Sequence, residues 1–257
     1  MLTFRNTNIV FICLLLLIAG LDISGHVPFF VYPALLLVYS LVLFYGCYSI
    51  SSNFFLPVIC SAVTSKKEIA ISFDDGPASN FTPAILQVLK ENDVEAAFFC
   101  IGKNIPGNES LFKQVHDAGH LIGNHSYSHH FWFDLFSSSK MLQDVRLMDH
   151  GMQEVLGLKP RLFRPPYGVI NPNLKKAIIN GGYSPVGWSV RSMDTVTTDE
   201  GKLIKKINNS LKPGAIFLFH DTSRITLSVL PAFLRYVKES GYQVTRLDKM
   251  LNLKPYA

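Results

Sequence analysis

The chain has 257 residues, a formal net charge of +5 and 48% hydrophobic residues, room for one large domain or for a medium domain with an appendage. No Lys/Arg block or basic-aromatic stripe concentrates the charge, which argues against nucleic-acid binding, while a positive balance suits phospholipid headgroups or an acidic glycan. Cys13, Cys47, Cys60 and Cys100 form no CxxC pair and no disulfide framework.

The apolar excess sits at the N-terminus, where residues 1–64 carry only Arg5 and Asp22 as formal charges. Residues 9–20 are almost wholly apolar, and 27–48 are apolar over about the length that crosses a bilayer. The expectation is a helical hairpin turning at residues 21–26, making residues 1–52 an anchor in membrane lipid and the chain an integral protein of the cell membrane. Arg5 and the Lys66-Lys67 pair put both ends of the hairpin in the cytoplasm by the positive-inside rule. A single span, or a cleaved first helix, puts the rest outside, so the side is left open. Residues 54–63 are too short to span; they either lie at the interface, within a linker over 53–66, or begin the sheet of the domain at 67–257.

From residue 68 short apolar runs alternate with amphipathic ones. Strands are expected at 68–73, 95–101, 121–123, 183–188, 214–219 and 243–246, with another short one before Phe163. Helical spacing of apolar residues covers 83–91, 109–118, 138–156, 172–180, 198–211 and 227–239. Alternating strand and helix implies an α/β fold with a parallel sheet, open or closed into a barrel. Lys202, Lys205 and Lys206 read as a solvated helix face.

Chemistry-bearing residues cluster where strands end. Ser72-Phe73-Asp74-Asp75-Gly76-Pro77 puts two carboxylates at the rim of the sheet, and the Gly-Pro turn lets both enter one pocket. Gly123-Asn124-His125-Ser126-Tyr127-Ser128-His129 spaces two imidazoles four apart, so that on a helix or tight turn they can share a metal; His130 is an alternative second ligand. Phe163-Arg164-Pro165-Pro166-Tyr167-Gly168 is a stiff loop able to hold an arginine against a carboxylate and aim a backbone N–H at an oxyanion. Leu218-Phe219-His220-Asp221 closes an apolar strand with a candidate general acid, which Asp194 could reach from another loop; Asp221 is expected to cap a helix.

In this order, SFDDGP, HSYSH, FRPPYG, the segment 188–195 and LFHD resemble the five motifs of the polysaccharide deacetylase family, the NodB-homology group of carbohydrate esterase family 4. The resemblance covers roughly residues 68–247. It implies a distorted (β/α) barrel and metal-dependent hydrolysis of N-acetyl groups on amino sugars. By motif, Asp74 resembles the general base and Arg164 the arginine paired with it. Asp75, His125 and His129 match the metal ligands, with zinc first and cobalt, manganese or nickel accepting the same set. Tyr167 matches the residue whose backbone N–H faces the oxyanion, and Leu218 the lining of the acetyl pocket. His220 matches the general acid and Asp194 the carboxylate that holds it. Two positions depart from the pattern: Arg191 stands where an acid is common, and Thr195 where a tryptophan usually follows. The implied substrate is an N-acetylated glycan; the alternatives are a lipid-linked amino sugar, deacylated or deformylated, and a carbohydrate-binding domain without catalysis.

Overall fold

Two apolar helices lead the chain, α1 (Phe4–Asp22) and α2 (Val31–Tyr48). In the computed structural model, which describes residues 2–25 and 27–257, they run antiparallel. Tyr32 Oη donates to Asp22 at 2.9 Å, Tyr39 Oη donates to Asn8 at 2.8 Å, and the Phe11 and Tyr39 rings stack at 4.1 Å. At 1.5 Å per residue each helix is about 27 Å long, close to the thickness of bilayer hydrocarbon, and side chains such as Ile9, Leu16, Leu37 and Phe44 are exposed. α1 ends within the expected turn at 21–26; His26 of that turn lies outside the described residues.

The rest alternates strand and helix: β1 (Glu68–Asp74), α3 (Thr82–Glu91), β2 (Ala97–Cys100), α4 (Glu109–Asp117), β3 (Leu121–Asn124), α5 (Ser138–Leu156), β4 (Leu162–Phe163), α6 (Pro172–Gly181), β5 (Ser184–Pro185), β6 (Val190–Arg191), α7 (Glu200–Asn209), β7 (Ile216–His220), α8 (Arg224–Glu239), β8 (Gln243–Val244) and α9 (Leu247–Leu251). All strand pairs are parallel, in the order β5-β4-β3-β2-β1-β7-β6, with β8 beside the start of β1. The sheet curls into the distorted, partly open barrel that the motifs implied. Helix ends follow local chemistry: the side chains of Ser137, Asn171 and Asp199 accept the N–H three residues on, and Gly157 and Gly182 close α5 and α6 in the left-handed conformation.

Strand parity sorts the core. Ile69, Ile71 and Phe73 of β1 pack with Phe98, Phe217, Phe219 and the apolar faces of the surrounding helices. Alternate positions face the inside of the curl, where Ala70, Ala97, Phe99 and Ile216 pack together. Ser72 and Asp74, and Leu218 and His220, have the parity of this inner face. Register then aligns the strand ends, with Asp74 beside Phe99 and His220, and Asn124 beside Cys100 and Phe163.

Two elements differ from expectation, and one open choice is decided. The single strand expected at 183–188 ends after Pro185, and a separate short strand forms at Val190–Arg191. Pro185 has no N–H for a ladder, and Gly187 N donates not to a neighbouring strand but to Ile59 O at 2.9 Å. α8 starts three residues before the expected 227, at Arg224. Of the two readings open for residues 54–63, the structure has the one that joins the sheet: Ile59 bridges Val186 and Ser61 bridges Ala215. Phe54, Phe55, Leu56 and Val58 are buried with Phe163, Ile170 and Leu174.

Candidate active site

The first carboxylate is bound to a buried arginine. Arg164 follows β4 and is fully buried, its guanidinium carbon 4.0 Å from the Phe99 ring centroid. Its Nη1 donates to Asp74 Oδ1 at 2.7 Å and to Ser72 Oγ at 2.8 Å, while Nε and Nη2 donate to the carbonyls of Val186 and Gly187. Burial nevertheless carries the Asp74 carboxyl above its ordinary pKa, outweighing the charges of Arg164, His220 and His129 that pull it down. Ser72 was not singled out from the sequence, although it lies two residues before Asp74 on the same strand face, and that spacing was the available signal.

Asp75 leaves the strand with φ +78°, a left-handed conformation that Asp tolerates better than most residues. This turn brings its carboxylate into the same pocket as Asp74. Asp75 Oδ1 is buried without a hydrogen-bond partner, and the Nε2 atoms of His125 and His129 each lie 3.5 Å from it. The histidines sit on a tight turn, the second of the two geometries expected. Ser126 N donates to Asn124 Oδ1 and His129 N to Ser126 Oγ, while Asp144 accepts from the N–H groups of Tyr127 and Ser128. His125 Nδ1 is 2.8 Å from Arg164 O; a carbonyl only accepts, so Nδ1 carries the proton and Nε2 keeps its lone pair. Burial, then the charge of His129, holds His125 down at about 3 against the opposing pull of Asp75, so its imidazole is neutral near pH 7.

Asp75, His125 and His129 offer ligand atoms within 4.8 Å of one another. An orphaned buried carboxylate oxygen, a neutral imidazole with its outer nitrogen fixed by a carbonyl, and a second imidazole are a fitting donor set for one divalent cation. His130 is not in this group: its Nδ1 accepts from Trp132 N at 3.0 Å, and its ring packs on Phe136.

The opposite flank carries the second carboxylate-cation pair. His220 Nδ1 and Asp194 Oδ1 are 2.8 Å apart, which leaves Nε2 as the free ring nitrogen. Asp194 also accepts from His220 N, Ser192 Oγ and Thr226 Oγ1. Burial favours a neutral imidazole, but the hydrogen bond and charge of Asp194, with the charges of Asp74 and Asp75, outweigh it and raise the His220 pKa. Asp194 is lowered: burial opposes, and the His220, Thr226 and Ser192 hydrogen bonds win.

These groups surround a cavity of about 210 Å³ whose walls include Pro165, Tyr167, Trp188, Arg191, Thr195 and Leu218. Tyr167 is edge-on to His129 at 4.7 Å. Thr195 lines the wall where the motif leads one to expect an indole, yet an indole is present, that of Trp188. Gly168 is required beside it: φ is +74°, and a Cβ there would lie 2.6 Å from a Trp188 ring atom. Asp221 does not cap a helix. It is buried, accepts from Thr82 Oγ1 at 2.6 Å, and stands where a Cβ on Gly76 would be, 2.0 Å from its Oδ2. Burial and the nearby Asp75 and Asp74 push its carboxyl to about 7, against the Thr82 hydrogen bond.

The chain is similar to several known proteins. The family model described as polysaccharide deacetylase matches residues 61–186. The chain is similar to the peptidoglycan-N-acetylglucosamine deacetylase PgdA of Listeria monocytogenes, 32% identical over 199 residues, covering 77% of this chain but only 42% of that protein. The chain thus spans less than half the length of that relative. It is 31% identical over 196 residues to the peptidoglycan-N-acetylmuramic acid deacetylase PdaA of Bacillus subtilis, covering 73% of each. Among solved structures it resembles a peptidoglycan N-acetylglucosamine deacetylase, with a TM-score of 0.74 and 27% identity over 78% of this chain and 95% of that one.

Proposed function

This chain belongs to the polysaccharide deacetylase family, and on that footing we propose that its pocket hydrolyses the N-acetyl amide of an amino sugar in a cell-envelope glycan. The observation that carries the reading is the grouping of Asp75, His125 and His129 between two carboxylate-cation pairs, Asp74-Arg164 and Asp194-His220, around one cavity. The names of the relatives support a peptidoglycan-type substrate.

Amide hydrolysis needs an activated water, a stabilised oxyanion and a protonated leaving amine. Asp75, His125 and His129 would hold a divalent ion, zinc by preference with cobalt, manganese or nickel as alternatives, which supplies Lewis acidity and lowers the pKa of water. Asp74, oriented by Arg164, accepts the proton of the attacking water; its raised pKa makes it a stronger base. The Tyr167 N–H donates to the developing oxyanion, and Leu218 lines the acyl site. His220 Nε2 delivers a proton to the departing nitrogen, the imidazolium being sustained by Asp194.

Metal content and turnover together test this. Asp75→Ala and His125→Ala are expected to lose bound metal and activity at once, whereas His220→Ala keeps the metal and loses turnover. Turnover of an N-acetyl substrate by His220→Ala at the wild-type rate would remove the acid from this scheme.

The N-terminal helices, read as an anchor in the cell membrane ahead of the catalytic domain, fit a second substrate as well, a lipid-linked amino sugar. Ile170 N, just beyond the Tyr167 loop, donates to Cys47 O near the end of α2 at 3.0 Å, so the apolar hairpin reaches the pocket's own loop. A topology reporter at Ala257 separates the two: a cytoplasmic domain would meet lipid-linked precursors, an outward one the finished polymer.

A further inference from the structure

The pocket contains a cation that the proposed chemistry leaves unused. Arg191, on β6 with its Cα opposite Leu218 of β7, lines the cavity. Its guanidinium carbon is 5.9 Å from the Trp188 ring centroid, and among the described residues its guanidinium meets no carboxylate and makes no hydrogen bond. Arg164 is different: all three of its nitrogens are engaged by protein acceptors inside the core. Lys206, from α7, stands behind Arg191, its Nζ 3.4 Å from Ser192 O. Partial burial and then the charge of Arg191 lower the Lys206 pKa. Two neighbouring cations that make no ion pair among the described residues, one of them open to the cavity, are a place for an anion.

A planar guanidinium presents its donors as a rigid fork that matches a carboxylate or phosphate, and that of Arg191 stands at the outer edge of cation–π range of the indole. The substrate supplies the geometry. In a 2-acetamido sugar the carbons flanking the amide-bearing C2 are C1 and C3, so an anion on either is held close to the reacting carbonyl. Such a substrate would meet Asp74 and Asp75 in the same cavity, and a compensating positive charge on the Trp188 wall offsets that repulsion.

We propose that Arg191, which lines the cavity beside Trp188, is a specificity-determining residue that receives an anionic substituent beside the reacting amide: a carboxylate carried on O3 or a phosphate carried on O1 of the amino sugar. This rests on the deacetylase reading above and narrows its substrate class.

The test is a selectivity ratio. With metal-loaded full-length protein, kcat/KM is measured for a neutral acetylated chito-oligosaccharide, for the same sugar bearing a 3-O-lactyl ether, and for N-acetylglucosamine 1-phosphate. Arg191→Gln is expected to lower the anionic-to-neutral ratio about tenfold to a hundredfold, the size of a lost charge-assisted hydrogen bond. The loss should lie mainly in KM, with Arg191→Glu lower still and Arg191→Lys partly restored. Whichever anionic substrate responds identifies the source of the anion. An unchanged ratio overturns the proposal. Calorimetric binding of muramic acid and of glucosamine 1-phosphate to the wild type and to Arg191→Gln gives a readout without turnover. Binding that depends on Arg191 in a protein that deacetylates nothing sinks the reaction and keeps the anion site; equal binding by both sinks the site.

Discussion

The two flanks of the pocket hold the same kind of pair built for opposite ends. Asp74 faces a guanidinium that stays charged at any working pH, fully buried and bonded at every nitrogen. Asp194 faces an imidazole, a group that can release its proton and whose pKa the Asp194 hydrogen bond and charge raise against burial, its own oxygens taking two side-chain hydroxyls and a backbone N–H besides the ring. In the first pair the cation is fixed and the carboxylate is the member that can exchange a proton. In the second the carboxylate is saturated and the proton moves on the cation. The lesson is that burial and partner count, rather than distance, decide which half of an ion pair is available for chemistry, since the two contacts differ by only 0.1 Å, at 2.7 and 2.8 Å.

Breaking the fixed pair should have the largest effect. Arg164→Met leaves Asp74 buried without its cation, and removing one partner of a buried pair costs about 3–5 kcal/mol. Chemical denaturation should show a loss of that order, and any folded fraction should carry a more basic Asp74. Its acid limb of activity, where turnover falls as pH drops through the Asp74 pKa, would then move to higher pH. The mobile pair responds differently. His220→Ala is expected to reduce kcat about 10²–10⁴-fold with metal content intact and a smaller loss of stability.

The third effect is one of pH. On the proposed scheme the raised pKa of His220 keeps the protonated acid present to higher pH, and turnover is expected to fall as pH rises through that value. Asp194→Asn removes the carboxylate charge that raises it, so the basic limb of the kcat profile should move to lower pH. An unmoved limb would mean that His220 is not the group titrating there.

Much of this comparison was legible before any coordinates. Each motif sits where an apolar strand run meets a turn, and period-two strands with Gly-Pro and Pro-Pro breaks are strong local signals, so the positions of Asp74, Asp75, Arg164 and His220 at strand ends could be read directly. The alternation within Ala70-Ile71-Ser72-Phe73-Asp74 also held the face shared by Ser72 and Asp74. What could not be read is set by distant packing. The break after Pro185 depends on Ile59 taking the Gly187 N–H, a contact across more than 120 residues. Asp221 looks like a helix cap because it precedes α8, and only the fold brings Thr82 and Gly76 against it.

The finest contrast is between one hydroxyl on each flank. Ser72 Oγ accepts from Arg164 Nη1 at 2.8 Å and donates to Phe217 O at 2.9 Å, while Thr226 Oγ1 donates to Asp194 Oδ2. Ser72→Ala strands a buried guanidinium N–H that nothing else in the described site is placed to accept, so its cost should approach 1–3 kcal/mol. Thr226→Val keeps the shape of a fully buried residue and removes one of two donors from Asp194 Oδ2, which still accepts from His220 N. Its cost should stay near 1 kcal/mol, with the basic limb of activity shifted by only a few tenths of a pH unit. Should Thr226→Val prove the more damaging of the two in urea unfolding, the Asp194 carboxylate is not saturated, and the distinction between a fixed cation and a mobile proton loses its structural basis.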